Sequence, residues 1–224
     1  MPGHLITQKE YLIASQVFHW ATKEHYGMWF TGKMVRHRRT EAMLPRLVKK
    51  GRLVAKRYGK RLVYAAPRIT NQVNVEHGLG CTEGLVRMWR SRTDATIIPE
   101  RFFRGFGSVP EWGLLYPNGK LLLYEHCTAD NFERRHVVKT KITNYQEHLP
   151  AIEEHFKGEA IVLFVIMASQ EKVEGFVANI KVVGPFFFTD YPSFISVPVG
   201  KQLYTPIYAW GEDGQVYALA GSYA

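Results

Sequence analysis

Residues Val109 to Tyr145 read VPEWGLLYPNGKLLLYEHCTADNFERRHVVKTKITNY. Glu111 follows Pro110 and opens an expected strand. The turn Pro117-Asn118-Gly119 then leads into the apolar run Leu121 to Tyr124, which ends at Glu125. A separation of fourteen residues fits two antiparallel strands joined by a tight turn, with the two acids at neighbouring strand ends. A short polar loop follows, then a basic segment carrying Lys139, Lys141 and Tyr145. Mg2+ is held by one or two carboxylates, with water and phosphate oxygens completing an octahedron. Such an ion generates a hydroxide-like nucleophile and neutralises the charge that develops at phosphorus. Glu111 and Glu125 are therefore the candidate ligands of Mg2+ or Mn2+. Lys141 and Tyr145, at i and i+4, share one helix face, which lets both point at the strand ends. A solvated acid at a strand end is the commoner fate of a glutamate. Against it, Glu125 stands directly after LLLY, where a buried strand emerges from the core.

Outward from this stretch, composition narrows the setting. The chain has 224 residues, 46% of them hydrophobic and 22% charged, enough for one large or two small domains with a buried core. The longest apolar run, Ala160 to Ala168, is about half the roughly 20 residues that a membrane helix needs. The start, MPGHLITQKE, lacks the pattern of a signal peptide, and two cysteines, Cys81 and Cys127, make no disulfide framework. A reducing cytoplasm is the expected compartment.

The net charge of +9 is unevenly spread. Between Thr31 and Pro67 twelve Lys or Arg (Lys33, Arg36, Arg38, Arg39, Arg46, Lys49, Lys50, Arg52, Lys56, Arg57, Lys60, Arg61) face one acid, Glu41. That segment is +11, so the rest of the chain sums to −2. A local excess of this size on a foldable pattern predicts a polyanionic partner.

The same segment has an ordered pattern. Apolar residues recur at helical spacing from Ile6 to about Lys23, with Thr7 and Glu10 in capping-box positions. A shorter helix is expected over His25 to Val35 and a third over Thr40 to Lys50, with Pro45 awkward inside it. Two β-type runs, Leu53 to Lys56 and Leu62 to Ala65, flank the hairpin signal Tyr58-Gly59-Lys60. Helix, short helix, helix and basic hairpin is the order of a winged helix-turn-helix, in which the third helix enters the major groove and the wing lies along phosphates. The alternative is a small three-helix unit with a solvated basic face. The expected DNA contacts are Lys33, Arg36, Arg38, Arg39, Arg46, Lys49, Lys50, Lys56, Arg57, Lys60 and Arg61.

Beyond Pro67, ITNQVNVEHGLG reads as a linker, and a helix is expected over Thr82 to Arg92. A short strand at Ala95 to Ile98, an irregular loop over Pro99 to Ser108 and the two acid-bearing strands come next. A helix over Asn131 to Leu149, a buried strand at Ala160 to Met167, a helix over Ser169 to Ile180 and strands at Gly184 to Thr189, IYAW and VYAL complete the chain. The expected fold class is α+β or α/β: a winged helix-turn-helix over 1–67, a linker over 68–80, and a mixed α/β sheet domain over 81–224 with helices on both faces.

The PE…YEHCT…K…Y run resembles the restriction-endonuclease superfamily pattern written PD-(D/E)xK. The whole chain is similar to the replication-relaxation family of plasmid and mobile-element proteins, related to the mobilisation-protein-C class of relaxases. The matching residues are LVKKGRLVAKRYGKRLVY, His77-Gly78-Leu79, Pro110-Glu111, Leu123-Tyr124-Glu125 with Thr128, and Lys141 to Tyr145. The resemblance implies a winged helix joined to a restriction-endonuclease-like domain. Cys127 stands where the superfamily has its lysine, so Lys139 or Lys141 is expected to supply the charge from the following helix; otherwise catalysis is lost. Tyr145 is expected in a positioning role, since no histidine cluster accompanies it as a nucleophile. Glu83, Glu100, His77, His126 and His136 are secondary candidates.

The expected activity is a metal-dependent DNA endonuclease or nickase, relaxase-like, acting at a plasmid or mobile-element origin in replication or conjugative mobilisation. The competing expectation is a catalytically inactive origin-binding accessory or regulatory protein. Expected partners are double-stranded DNA at a specific origin, other replication or relaxosome proteins, and a second copy of the chain, with no membrane among them.

Overall fold

The computed structural model describes residues 6–32, 38–69, 74–199 and 206–220. The chain forms two compact units, Met1–Arg90 and Ser91–Ala224. In the first, α1 (Gln8–Val17), α2 (Lys23–Thr31) and α3 (Arg38–Lys49) precede an antiparallel hairpin of β1 (Val54–Tyr58) and β2 (Arg61–Ala65), and α4 (Val75–Ser91) follows. The capping box expected at Thr7 and Glu10 is present. α1 ends earlier than the apolar spacing suggests, because Thr22 opens a second capping box with His25 and Ala21 bridges to Tyr64 of β2. Tyr11, Phe18, Tyr26, Leu44 and Leu47 bury their side chains between the first three helices, where Tyr11, Phe18, Tyr26, Trp29 and Phe30 form a connected set of ring contacts.

The expected linker over 68–80 is corrected in its second half, which is the start of α4. Its glycines misread as linker because one of them serves packing: a Cβ on Gly78 would stand 2.8 Å from Trp20 Cδ1. Farther along α4, Glu83 is braced from two sides. Arg87 Nε donates to its Oε1 at 2.5 Å, and His25 Nε2 lies 2.7 Å from its Oε2. His25 Nδ1 accepts the Thr22 backbone N–H, so Nε2 carries the proton and donates to Glu83. Glu83 is thus a structural acid of the first unit.

The second unit is a seven-stranded sheet in the order β3 (Thr96–Pro99), β4 (Trp112–Leu115), β5 (Lys120–Cys127), β6 (Glu159–Ile166), β7 (Phe186–Asp190), β8 (Pro206–Trp210), β9 (Val216–Ala220). Pairing is antiparallel from β3 to β5, parallel from β5 to β7, and antiparallel from β7 to β9. Parallel neighbours need crossovers. α5 (Ala129–Glu133) with α6 (Arg135–Phe156) supplies the first, and α7 (Gln170–Ile180) the second. α8 (Tyr191–Ser196) follows β7, with Asp190 as its N-cap. The architecture is therefore mixed α+β. Leu121, Leu123, Val162, Phe164, Phe186 and Phe188 form the core with α6 and α7. α8 lies on the opposite face, where Phe194 meets Tyr124. α6 runs past Pro150, seven residues beyond the expected end, because Ile152 is wholly buried there.

Burial raises the Glu83 pKa, but the His25 hydrogen bond together with the charge and hydrogen bond of Arg87 outweighs it, lowering the value from 4.5 to about 2. A depressed folded-state pKa contributes stability that is present above the unfolded value and lost as pH falls through the folded one. Unfolding free energies from urea titrations followed by tryptophan fluorescence should therefore fall by on the order of 3 kcal/mol between pH 4.5 and about 2. Glu83→Gln should lower stability at neutral pH and flatten that decline.

Candidate active site on the β4–β5 hairpin

The hairpin register decides where the two acids meet. Trp112 pairs with Tyr124 and Leu115 with Leu121. Glu111 immediately precedes β4, and its N–H donates to the Tyr124 carbonyl at 3.0 Å, which holds it beside the end of β5 that carries Glu125. The turn holds this register. Gly119 takes φ 79°, its N–H donates to the Tyr116 carbonyl, and Asn118 Oδ1 accepts the Lys120 N–H at 3.1 Å. Like charges held close together repel, so this pair requires a counter-charge.

Lys141 provides it. Strand alternation turns Leu121, Leu123, Glu125 and Cys127 toward the α6 face, and α6 presents Lys141 and Tyr145 one turn apart. Lys141 Nζ makes a short ion pair with Glu125 Oε2 and lies 3.9 Å from Glu111 Oε1. Tyr145 OH donates to Glu125 Oε1 at 2.8 Å. Both oxygens of Glu125 are thereby occupied by donors from one helix. The Glu125 side chain is 1% exposed, that of Glu111 11%, and that of Lys141 35%.

Burial sets the electrostatics. Near-complete burial pushes the Glu125 carboxyl above its ordinary range; the Lys141 charge opposes that and the Glu111 charge adds to it. For Lys141 burial works against the ammonium, but the two carboxylates more than offset it and the pKa is raised. Burial, followed by the Glu125 charge, raises Tyr145 well above its usual value. Burial also pushes the Cys127 thiol to about 12, so it is a neutral group at this site.

Of the five sequence candidates, four converge: Glu111, Glu125, Lys141 and Tyr145. Lys139 does not. It is exposed, and two residues along a helix turn a side chain by about 200° from Lys141. Its assignment to the site is corrected on that ground. His126 points to the opposite sheet face, its ring edge-on to Tyr191, and His136 is exposed on α6. His77 lies in α4 beside Cys81, and Glu100 pairs with Arg104 at 3.1 Å.

Two basic surfaces of the first unit remain as expected from charge. Arg38, Arg46 and Lys49 are exposed on one face of α3 together with Ala42, and Lys56, Arg57, Lys60 and Arg61 are exposed on the hairpin. Arg39 is exposed and donates to the Ile6 carbonyl, and Lys50 donates to Gln8 Oε1 at 3.3 Å. Lys33 and Arg36 lie outside the described residues. No protein-family model, curated protein or solved structure matches the chain.

If α6 holds the carboxylate, Tyr145→Phe should lower unfolding free energy by about 1–3 kcal/mol, the cost of leaving a buried acceptor unpaired. Lys139→Met should stay within about 0.5 kcal/mol of wild type. Equal losses from changing Lys139 and Lys141 in urea unfolding would contradict this assignment.

Proposed function

We propose that this protein binds double-stranded DNA through its first unit and hydrolyses phosphodiester bonds, as a metal-dependent endonuclease or nickase, at a site in its second. The observation that carries this reading is the convergence of Glu111, Glu125 and Lys141 from two strands and one helix. The two carboxylates are hard oxygen donors of the kind that Mg2+ or Mn2+ takes. Glu111 and Glu125 would hold the ion, which supplies Lewis acidity and a water of lowered pKa. Tyr145 orients Glu125 through Oε1. Lys141, partly exposed, has the reach to offer its ammonium to a phosphate oxygen of the substrate.

DNA binding through a winged helix-turn-helix is supported by the element order and by where the cations lie. The exposed face of α3 ends in Arg38 at one side and Arg46 and Lys49 at the other, suited to a major groove. The hairpin tip offers four exposed cations to phosphates. By the resemblance of its motifs, we assign the substrate to a plasmid or mobile-element origin, in replication or conjugative mobilisation. This implies a cytoplasmic setting, with replication or relaxosome proteins as partners and self-association into a homodimer.

A second reading has its own observation. Lys141 already neutralises Glu125, and neutral Cys127 stands two residues on, so a closed ion pair inside a non-catalytic origin-binding protein also fits. Incubating supercoiled origin plasmid with Mg2+ or Mn2+ separates the two. Open circles formed by wild type and not by Glu125→Ala support hydrolysis, whereas no nicking with either metal leaves the accessory reading. DNA binding itself should be salt-sensitive in both cases. Changing Lys56, Arg57, Lys60 and Arg61 to alanine should reduce the log–log salt slope by roughly 3 to 4 and weaken all sequences alike. An unchanged slope would remove the hairpin from the interface.

A further inference from the structure

We infer that Lys141 is an internal occupant of the carboxylate pair, which excludes a divalent cation until a substrate phosphate draws its ammonium away. The inference rests on the metal-dependent reading above and concerns how that site is switched.

The ammonium and a divalent cation would use the same oxygens. Lys141 Nζ is paired with Glu125 Oε2 and sits 3.9 Å from Glu111 Oε1, so one monovalent group spans the two candidate ligands. Tyr145 already fills Glu125 Oε1. With Lys141 in place, each oxygen of Glu125 already accepts from a donor, and the side of Oε2 that faces Glu111 is taken by the ammonium. An ammonium and a divalent cation cannot share a site of this size without strong repulsion, because like charges a few ångströms apart in a partly buried site are poorly screened. Cation binding and the Lys141 contact are therefore alternatives.

The three side chains differ in their freedom to move. Glu125 and Tyr145 are buried and belong to the packed interface of β5 and α6. Lys141 is more than a third exposed on a long flexible stem. It is the member able to leave, while Tyr145 keeps Glu125 aimed. A phosphodiester at the mouth of the site offers the ammonium a replacement anion, and the vacated Oε2 becomes available to the cation. By linkage, metal and DNA then strengthen one another's binding.

Mn2+ binding to the full chain, read from the loss of the free-ion paramagnetic resonance signal, tests this at one fixed, mildly alkaline pH. Three samples are compared: wild type alone, wild type with a short duplex (corrected for ion bound by the duplex itself), and Lys141→Met alone. Wild type alone should bind weakly. The duplex and the substitution should each raise affinity, on the order of ten- to a hundredfold, the usual size of coupling between two sites. Lys141→Arg, which keeps a cation, should stay weak. Thermal melting shows whether Lys141→Met folds; if it does not, the comparison with and without duplex decides alone. Equal affinity for wild type with and without duplex, or for wild type and Lys141→Met, overturns the exclusion while leaving a metal site standing. No Mn2+ binding in any sample removes the metal-dependent reading as well.

Discussion

The second unit depends on keeping one buried carboxylate satisfied. Glu125 ends the apolar run of β5 and is 1% exposed. An ion of this kind left alone in the interior costs several kcal/mol, and removing one partner of a buried pair is among the more damaging changes a protein can suffer. The surrounding architecture follows from that constraint. α6 must carry a cation and a hydroxyl one turn apart on the face toward the sheet, which fixes its rotational phase. The β4–β5 hairpin must keep its register, because a slip of one residue would turn Glu125 to the other face. Glu111, which Lys141 also reaches, makes the demand for that cation stronger still.

The same arrangement gives the site two faces of behaviour. As it stands, the two carboxylates and the one ammonium form a partly neutralised, hydrogen-bonded cluster that stabilises the junction of β4, β5 and α6. Once the ammonium is drawn elsewhere, two acids on a rigid sheet are released toward solvent at one edge. Structural cluster and proposed phosphodiester site are then two positions of one side chain. The first unit divides its polar groups differently. The Glu83–Arg87–His25 cluster is buried within the helices, while the cations of α3 and the hairpin stay in solvent, where a polyanion can reach them.

Much of the hairpin was legible in the sequence. A turn at Pro117-Asn118-Gly119 between apolar runs predicts antiparallel strands, and counting outward from it brings residues 111 and 125 together. The preference for Lys141 over Lys139 was also accessible, since only Lys141 shares a helix face with Tyr145; helical phase separates two lysines that look equivalent in a basic run. His126 is excluded by strand alternation in the same way. Other features needed three dimensions. The brace on Glu83 joins residues 58 apart, and only its Arg87 half follows from i,i+4 spacing. The start of α4 was hidden because Gly78 reads as a breaker, whereas its role is to admit Trp20. The end of α6 was hidden by Pro150, which packing of Ile152 overrides.

The most direct measurement of the central claim is anomalous diffraction from a crystal of the protein grown with a short DNA duplex and Mn2+. The account predicts an anomalous peak held by both Glu111 and Glu125, with Lys141 turned from Glu125 toward a phosphate and Tyr145 still on Oε1. DNA bound in the crystal with no peak between the carboxylates, and Lys141 still paired to Glu125, would contradict it.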